Sequence, residues 1–160
     1  MARIRCDTVL RTPADRAWAA VLRTRLLDHV AWPLQRFERV DPPSWPSVWS
    51  DGRYKVRCRL FGLVPVGEQW INISTVEAGP DRYVLRDDGR GDLAARWDHR
   101  ITIRPLPGDR CRYTDEVEVE AGRLTPLVAA FAWMFYRHRQ RRWRALVAAD
   151  FAPLAPEAVS

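Results

Sequence analysis

Residues 95–103 read Ala-Arg-Trp-Asp-His-Arg-Ile-Thr-Ile, and a two-residue period puts Ala95, Trp97, His99, Ile101 and Ile103 on one side of a strand. Arg96, Asp98, Arg100, Thr102 and Arg104 fall on the other side. After Pro105-Leu106-Pro107-Gly108-Asp109 a second strand alternates in the same way. Tyr113, Asp115, Val117 and Val119 share its apolar side, with Arg112, Thr114, Glu116, Glu118 and Glu120 opposite. A loop of about three to five residues joins the two as an antiparallel hairpin. A helical pattern of about 25 residues follows, long enough to lie across the hairpin's apolar face. An alternating face needs a cover, and the next segment of chain has the length to provide it. His99 and Asp115 become direct or diagonal partners on the face that should be buried.

Composition suits one domain with a substantial core, expected over residues 1–152 of the 160, with 47% hydrophobic residues. A tail over 153–160 is expected to fray. The longest strongly apolar stretch, Leu127 to Tyr136, is too short to span a bilayer, and the N-terminal residues lack an apolar run of signal-peptide length. Both point to a cytoplasmic protein without stable membrane insertion. Cys6, Cys58 and Cys111 are odd in number and scattered, which argues against a disulfide framework and against a zinc site. The net charge of +6 raises the question of nucleic acid. However, only Lys55 among the 26 basic residues is lysine, and the arginines are spread over the outward side of the expected strands. A solvated basic surface is the better reading, so no nucleic-acid partner is expected.

The rest of the chain has the same grammar. Arg3 to Arg11 alternates as a strand, with Ile4, Cys6, Thr8 and Leu10 on one side. Thr12-Pro13-Ala14-Asp15 is a helix start, with Thr12 as cap, Pro13 in the first helical position and Asp15 near the positive helix end. Ala17, Trp18, Val21 and Leu22 give that helix its apolar side, and a second short helix is expected over Leu26 to Val30. Strands are expected over Arg36 to Val40, Tyr54 to Phe61, Glu68 to Glu77 and Arg82 to Asp87. The three prolines between Asp41 and Gly52 make that segment a loop. Which side of 68–77 faces inward stays open: Trp70, Asn72 and Ser74 share one side, Ile71, Ile73 and Thr75 the other.

At about 100° per residue, Leu127, Val128, Phe131, Met134, Phe135, Trp143, Ala145, Leu146 and Ala149 form one apolar arc of the long helix. Arg137, Gln140, Arg141 and Arg144 lie opposite, whereas His138 and Arg142 fall inside the arc and break its pattern. Residues that break local rules are candidates for function.

Several of these segments carry a resemblance to a known superfamily. Thr12-Pro13 followed by Trp18, Trp97-x-His99 followed by Tyr113-Thr114-Asp115-Glu116-Val117, and the helix containing Phe135-Tyr136-Arg137-His138-Arg139-Gln140 occur in this order over nearly the whole chain. In this the chain resembles the START-like, or SRPBCC, superfamily, which includes Bet v 1 pollen allergens, lipid-transfer START domains and polyketide cyclase/dehydrase-like bacterial proteins. The resemblance implies an α+β helix-grip fold: a curved antiparallel sheet of about six to seven strands wrapped around a long C-terminal helix, with two short helices after strand one. It also implies a hydrophobic cavity between sheet and helix, but no single function.

The expected ligand-binding residues are Trp97, His99, Tyr113, Asp115, Phe131, Met134, Phe135, His138 and Arg142, with Trp45 and Trp49 either closing the cavity mouth or pinning the Pro-rich loop. His99 and Asp115 have three readings: a buried polar pair satisfying itself, a pair orienting a ligand carbonyl or hydroxyl, and an acid/base pair in which Asp115 holds the imidazole. His138 and Arg142 either sit at the wet end of the helix or anchor an anionic or carbonyl head. No Ser or Cys reads as a nucleophile, and His29, His99 and His138 lack a metal-ligand spacing, so no metal and no cofactor are expected. The first functional expectation is a non-catalytic carrier or sensor of a small hydrophobic ligand such as a lipid, polyketide, isoprenoid or aromatic metabolite, acting as a monomer or homodimer. The alternatives are a cyclase or aromatase-type enzyme using a cavity histidine, and an interaction module using the basic C-terminal helix.

Overall fold

Ile4, Cys6 and Leu10 are the buried positions of strand β1 (Ala2–Leu10), so the first alternating segment forms as its pattern dictates. In the computed structural model, which describes residues 1–155, two short helices follow, α1 (Ala14–Val21) and α2 (Thr24–Ala31). Strands β2 (Gln35–Asp41), β3 (Gly52–Leu60), β4 (Val64–Gly79), β5 (Arg82–Gly91), β6 (Arg96–Leu106) and β7 (Arg110–Glu120) come next, then helix α3 (Thr125–Ala148). The seven strands form one antiparallel sheet in the order β1-β7-β6-β5-β4-β3-β2. This is the α+β helix-grip architecture that the resemblance implies.

The sheet curves because its ladder is interrupted. Register shifts lie between Arg39 and Asp41, between Cys58 and Arg59, and between Thr75 and Glu77, and each such irregularity bends the strand that carries it. β5 also presses close to its neighbours through two glycines. A Cβ on Gly91 would stand 2.5 Å from the Glu68 carbonyl oxygen, and one on Gly89 would stand 2.9 Å from that of Trp70.

α3 lies along β1 and β7 on the concave side and packs against α2. The side it buries is Val128, Ala132, Phe135, Tyr136, Arg139, Gln140, Trp143 and Leu146. That corrects the expected arc. Leu127 is 69% exposed and Met134 41%, while Gln140, expected outward, is buried. Trp143 and Tyr113 are fully enclosed, with ring centroids 4.9 Å apart. Large aromatics bury about 150–250 Å² each, so this contact is among the strongest apolar ties between helix and sheet.

One other local expectation is revised. Thr12 does not cap α1: Pro13 takes the N-cap position, and the buried Thr12 hydroxyl has no hydrogen-bond partner among the described residues. Only the first residues of the expected tail are described. Ala152–Leu154 form a turn of 3₁₀ helix, Leu154 is buried, and its carbonyl accepts Arg23 Nη1 at 3.0 Å. The rest of the expected tail, 156–160, lies outside the described residues.

The convex face explains much of the arginine content. Arg3 and Arg96 meet Glu118 at 2.9 and 3.0 Å, Arg86 and Arg96 meet Asp98 at 2.7 and 2.9 Å, and Arg5 meets Glu116 at 2.9 Å. These are cross-strand charge ladders on the outward positions. No helix among the described residues is long and apolar enough to cross a membrane.

Candidate ligand site

The hairpin register pairs His99 with Val117 and Asp115 with Ile101, which makes His99 and Asp115 diagonal neighbours under α3. His99 Nε2 lies 2.8 Å from Asp115 Oδ1, and the Tyr113 hydroxyl donates to the same oxygen at 3.1 Å. Gln140 Nε2 reaches down from α3 to donate to Asp115 Oδ2 at 3.1 Å and to the Cys6 carbonyl at 2.6 Å. A carboxylate accepting from three side chains leaves the histidine as donor through Nε2–H. Burial lowers the His99 pKa, so the ring is neutral at pH 7, and the Tyr113 hydroxyl is held well above its ordinary value by burial and then by Asp115. The group ties β6, β7, β1 and α3 together with its carboxylate saturated.

A second polar group, half-buried at Asp87 and buried at Arg139, lies beside the first and is built differently. β5 places Asp87 directly opposite His99 in register. Asp87 Oδ1 accepts the backbone N–H of Asn72 at 2.7 Å, and burial pushes the carboxyl pKa up to about 7. Arg139 comes from α3, 4% exposed, its guanidinium 5.8 Å from the Phe135 ring centre and 5.3 Å from that of Tyr136. Its Nε has no hydrogen-bond partner among the described residues. A buried guanidinium with an unmatched donor is expensive in the empty protein.

These groups border a cavity of about 70 Å³ whose other walls include Val21, Leu26, Phe37, Trp49, Ile71, Ile73 and Phe135. A second cavity, of about 320 Å³, opens beyond it between the β3–β4 end of the sheet and the start of α3. Its walls are largely apolar, among them Leu60, Val66, Leu93, Leu127, Val128 and Phe131. Gln35, Gln69 and Trp97 border both spaces and stand between them. Trp97 is held there by its indole N–H, which donates to the Tyr136 hydroxyl at 3.0 Å.

The expected site residues therefore separate. Trp97, His99 and Phe135 line the inner cavity, and Phe131 lines the outer one. Tyr113 and Asp115 stand behind His99, fully buried. Met134 is on the surface, and His138 and Arg142 lie outside both cavities. His138 Nε2 is 2.9 Å from the Trp32 carbonyl and Arg142 Nε donates to the His29 carbonyl at 3.2 Å, so both hold the C-terminal end of α2. Trp49 lines the inner cavity, and Trp45 packs behind it at 4.9 Å with Arg39 over its other side. The loop carrying both is pinned by Trp49 N–H to the Leu22 carbonyl and by Thr24 Oγ1 to the Pro46 carbonyl. β4 turns Gln69, Ile71 and Ile73 inward, which settles the side left open for 68–77.

Asp87 and Arg139 are the charged residues of the inner cavity that the sequence reading missed, along with the amides Gln35 and Gln69. The signal for Asp87 was present: Tyr83, Leu85 and Asp87 alternate on one side of β5, an ionisable residue on an apolar face just as His99 is. Arg139 follows Phe135 by four residues and precedes Trp143 by four, so it sits on their stripe. The apolar but exposed Leu127 and Met134 drew the expected arc away from it.

A curved sheet gripping one long helix above a polar-floored cavity is the START-like, helix-grip class of fold. The fold is shared with a START superfamily protein from Mycobacterium smegmatis (15% identity, TM-score 0.62, 92% of this chain and 97% of that one). It is shared with the Zhui aromatase/cyclase from Streptomyces sp. R1128 (11% identity, TM-score 0.64, 99% of each chain). A protein from Chromobacterium violaceum has it too (19% identity, TM-score 0.65, 92% and 98%). Within that class the chain belongs to the family described as a domain of unknown function (DUF8410), which matches residues 8–147. No curated protein sequence matches the chain.

Proposed function

We propose that the protein binds a small, predominantly apolar molecule between the sheet and α3, as a carrier or sensor. The observation that carries this reading is the pair of adjoining cavities, about 70 and 320 Å³, with mainly apolar walls and a few polar groups gathered at the inner end. That is the division of labour of small-molecule sites, in which apolar burial supplies affinity and a few polar groups supply orientation. Native mass spectrometry after gentle purification, together with titration of the neutral fluorophore N-phenylnaphthylamine, tests it. Co-purifying small-molecule mass or saturable fluorophore binding is expected. A protein that carries nothing and binds no apolar probe overturns the reading.

A second reading is an enzyme of cyclase type. The observation favouring it is that His99, neutral and held by Asp115, borders the inner cavity opposite Asp87, whose carboxyl titrates near 7. The Zhui aromatase/cyclase shares the fold. This reading expects His99→Ala to remove turnover while leaving ligand affinity within a few-fold. Equal loss of both makes His99 a binding residue.

A further inference from the structure

The two cavities differ in what their walls lack. The outer one offers a ligand almost nothing but apolar surface, whereas the inner one holds two polar groups whose hydrogen bonding is incomplete. Arg139 Nε is buried without an acceptor, and Asp87 uses Oδ1 for the Asn72 N–H, leaving Oδ2 for another partner. A cavity of about 70 Å³ is ample for one water or a carboxyl group and too small for a hydrocarbon chain. We propose that the inner cavity takes the carboxyl head of an amphipathic monocarboxylic acid, seated between Asp87 and Arg139 with one proton shared by the two carboxyl groups. The tail, alkyl or aryl, would run past Gln35, Gln69 and Trp97, which line both spaces, into the outer cavity. This rests on the ligand-binding reading above and adds the class of ligand and its direction.

Charge decides that a proton accompanies the head. The titratable groups facing Asp87 are His99 from β6 and Tyr136 and Arg139 from α3, with Tyr113 and Asp115 of β7 behind His99 and within reach of Arg139, and Asp88 and Asp98 on the far side of the sheet. Among the described residues lining the cavity Arg139 is the one arginine or lysine, and it already answers Asp115 as well as Asp87. A ligand carboxylate arriving beside an ionised Asp87 would place three anions around one guanidinium in a desolvated space. With a proton between ligand and Asp87, the negative charge is the same before and after binding. A carboxyl that titrates near 7 takes up that proton readily. Arg139 Nε then gains the oxygen acceptor that it lacks in the empty protein.

The proposal predicts proton uptake that a neutral ligand does not cause. Calorimetric titration of decanoate in two buffers of different ionisation enthalpy, at about pH 8, should show close to one proton taken up per ligand, and decanoate affinity should fall about tenfold per pH unit above that. Decanol, with the same chain, should show neither effect. Asp87→Asn should abolish the proton uptake and flatten the pH profile. Arg139→Gln should weaken decanoate tenfold or more relative to decanol, with N-phenylnaphthylamine binding showing that each variant keeps its cavity. If decanoate binds no better than decanol, binds without proton uptake, or keeps its pH profile in Asp87→Asn, the head-group assignment fails while the binding reading stands. If the fluorophore and decanol do not bind either, the binding reading itself fails.

Discussion

Two carboxylates lie under the same helix, with strand β6 between them, and the protein treats them in opposite ways. Asp115 accepts from His99, Tyr113 and Gln140 and is sealed from solvent. Asp87 accepts a single backbone N–H, borders an open cavity, and has beside it a guanidinium whose Nε is unmatched. The saturated group joins α3 to three strands, so its energy goes into holding the fold. The unsaturated group gains little from the empty protein, and its remaining hydrogen-bonding capacity faces the space a ligand would fill. Burial alone therefore does not identify a site residue. An incomplete hydrogen-bond inventory beside a cavity does.

The largest effect should come from the saturated side. Asp115→Ala leaves the Tyr113 hydroxyl, His99 and Gln140 without their acceptor and is expected to cost about 3–5 kcal/mol, read from denaturant midpoints. A cost below that of Gln140→Met would show that Asp115 is not the centre of its network. Asp87→Asn should act in the other direction. The carboxyl pKa is raised on folding to about 7, so the folded state holds its proton more tightly, and the stability penalty grows as pH rises from about 4 to 7. The variant should thus be more stable than the parent by a few kcal/mol at pH 8, and by little at pH 4. A destabilised Asp87→Asn at pH 8 would place Asp87 with Asp115 and break the contrast.

Next in size, Gln140→Met should cost about 1–3 kcal/mol, because both Asp115 and the Cys6 carbonyl lose a donor. His99 supplies a finer test by pH. Its pKa is depressed by burial, so stability should fall as pH drops below about 6.5, and this slope should emerge clearly in the Asp87→Asn background, where the opposing titration is gone. Smallest of all, His138→Ala removes one contact to the Trp32 carbonyl and should cost under about 1 kcal/mol, with binding of an apolar probe unchanged. A clear loss of probe affinity there would return His138 to the site.

Most of the architecture was legible because alternation is a local property. Tyr113 to Val119 and Trp97 to Ile103 declare their buried side residue by residue, and a strand has only two sides to choose between. The long helix was harder. Its apolar residues, Leu127, Met134 and Trp133 included, cover most of its circumference, so the direction of the core had to come from what packs on it. Once α2 takes the side of His138 and Arg142, those residues become its anchors and Arg139 turns inward. Thr12 shows the same limit at smaller scale: a good capping residue is buried instead, because the turn from β1 into α1 starts the helix one residue later than expected.

What the sequence determined by itself was the order of elements and the hairpin that sets two ionisable residues on an apolar face, since period and turn chemistry act between near neighbours. The tertiary structure decided which buried charges are satisfied. Asp115 and Asp87 are both acids on apolar strand faces, and nothing local distinguishes them. The difference arises because α3 brings Gln140 over one and Arg139 beside the other, with β4 set far enough from the helix to leave a cavity at the second. Hydrogen-bond partners from distant segments, and the space left between them, exist only once the sheet has curved around the helix.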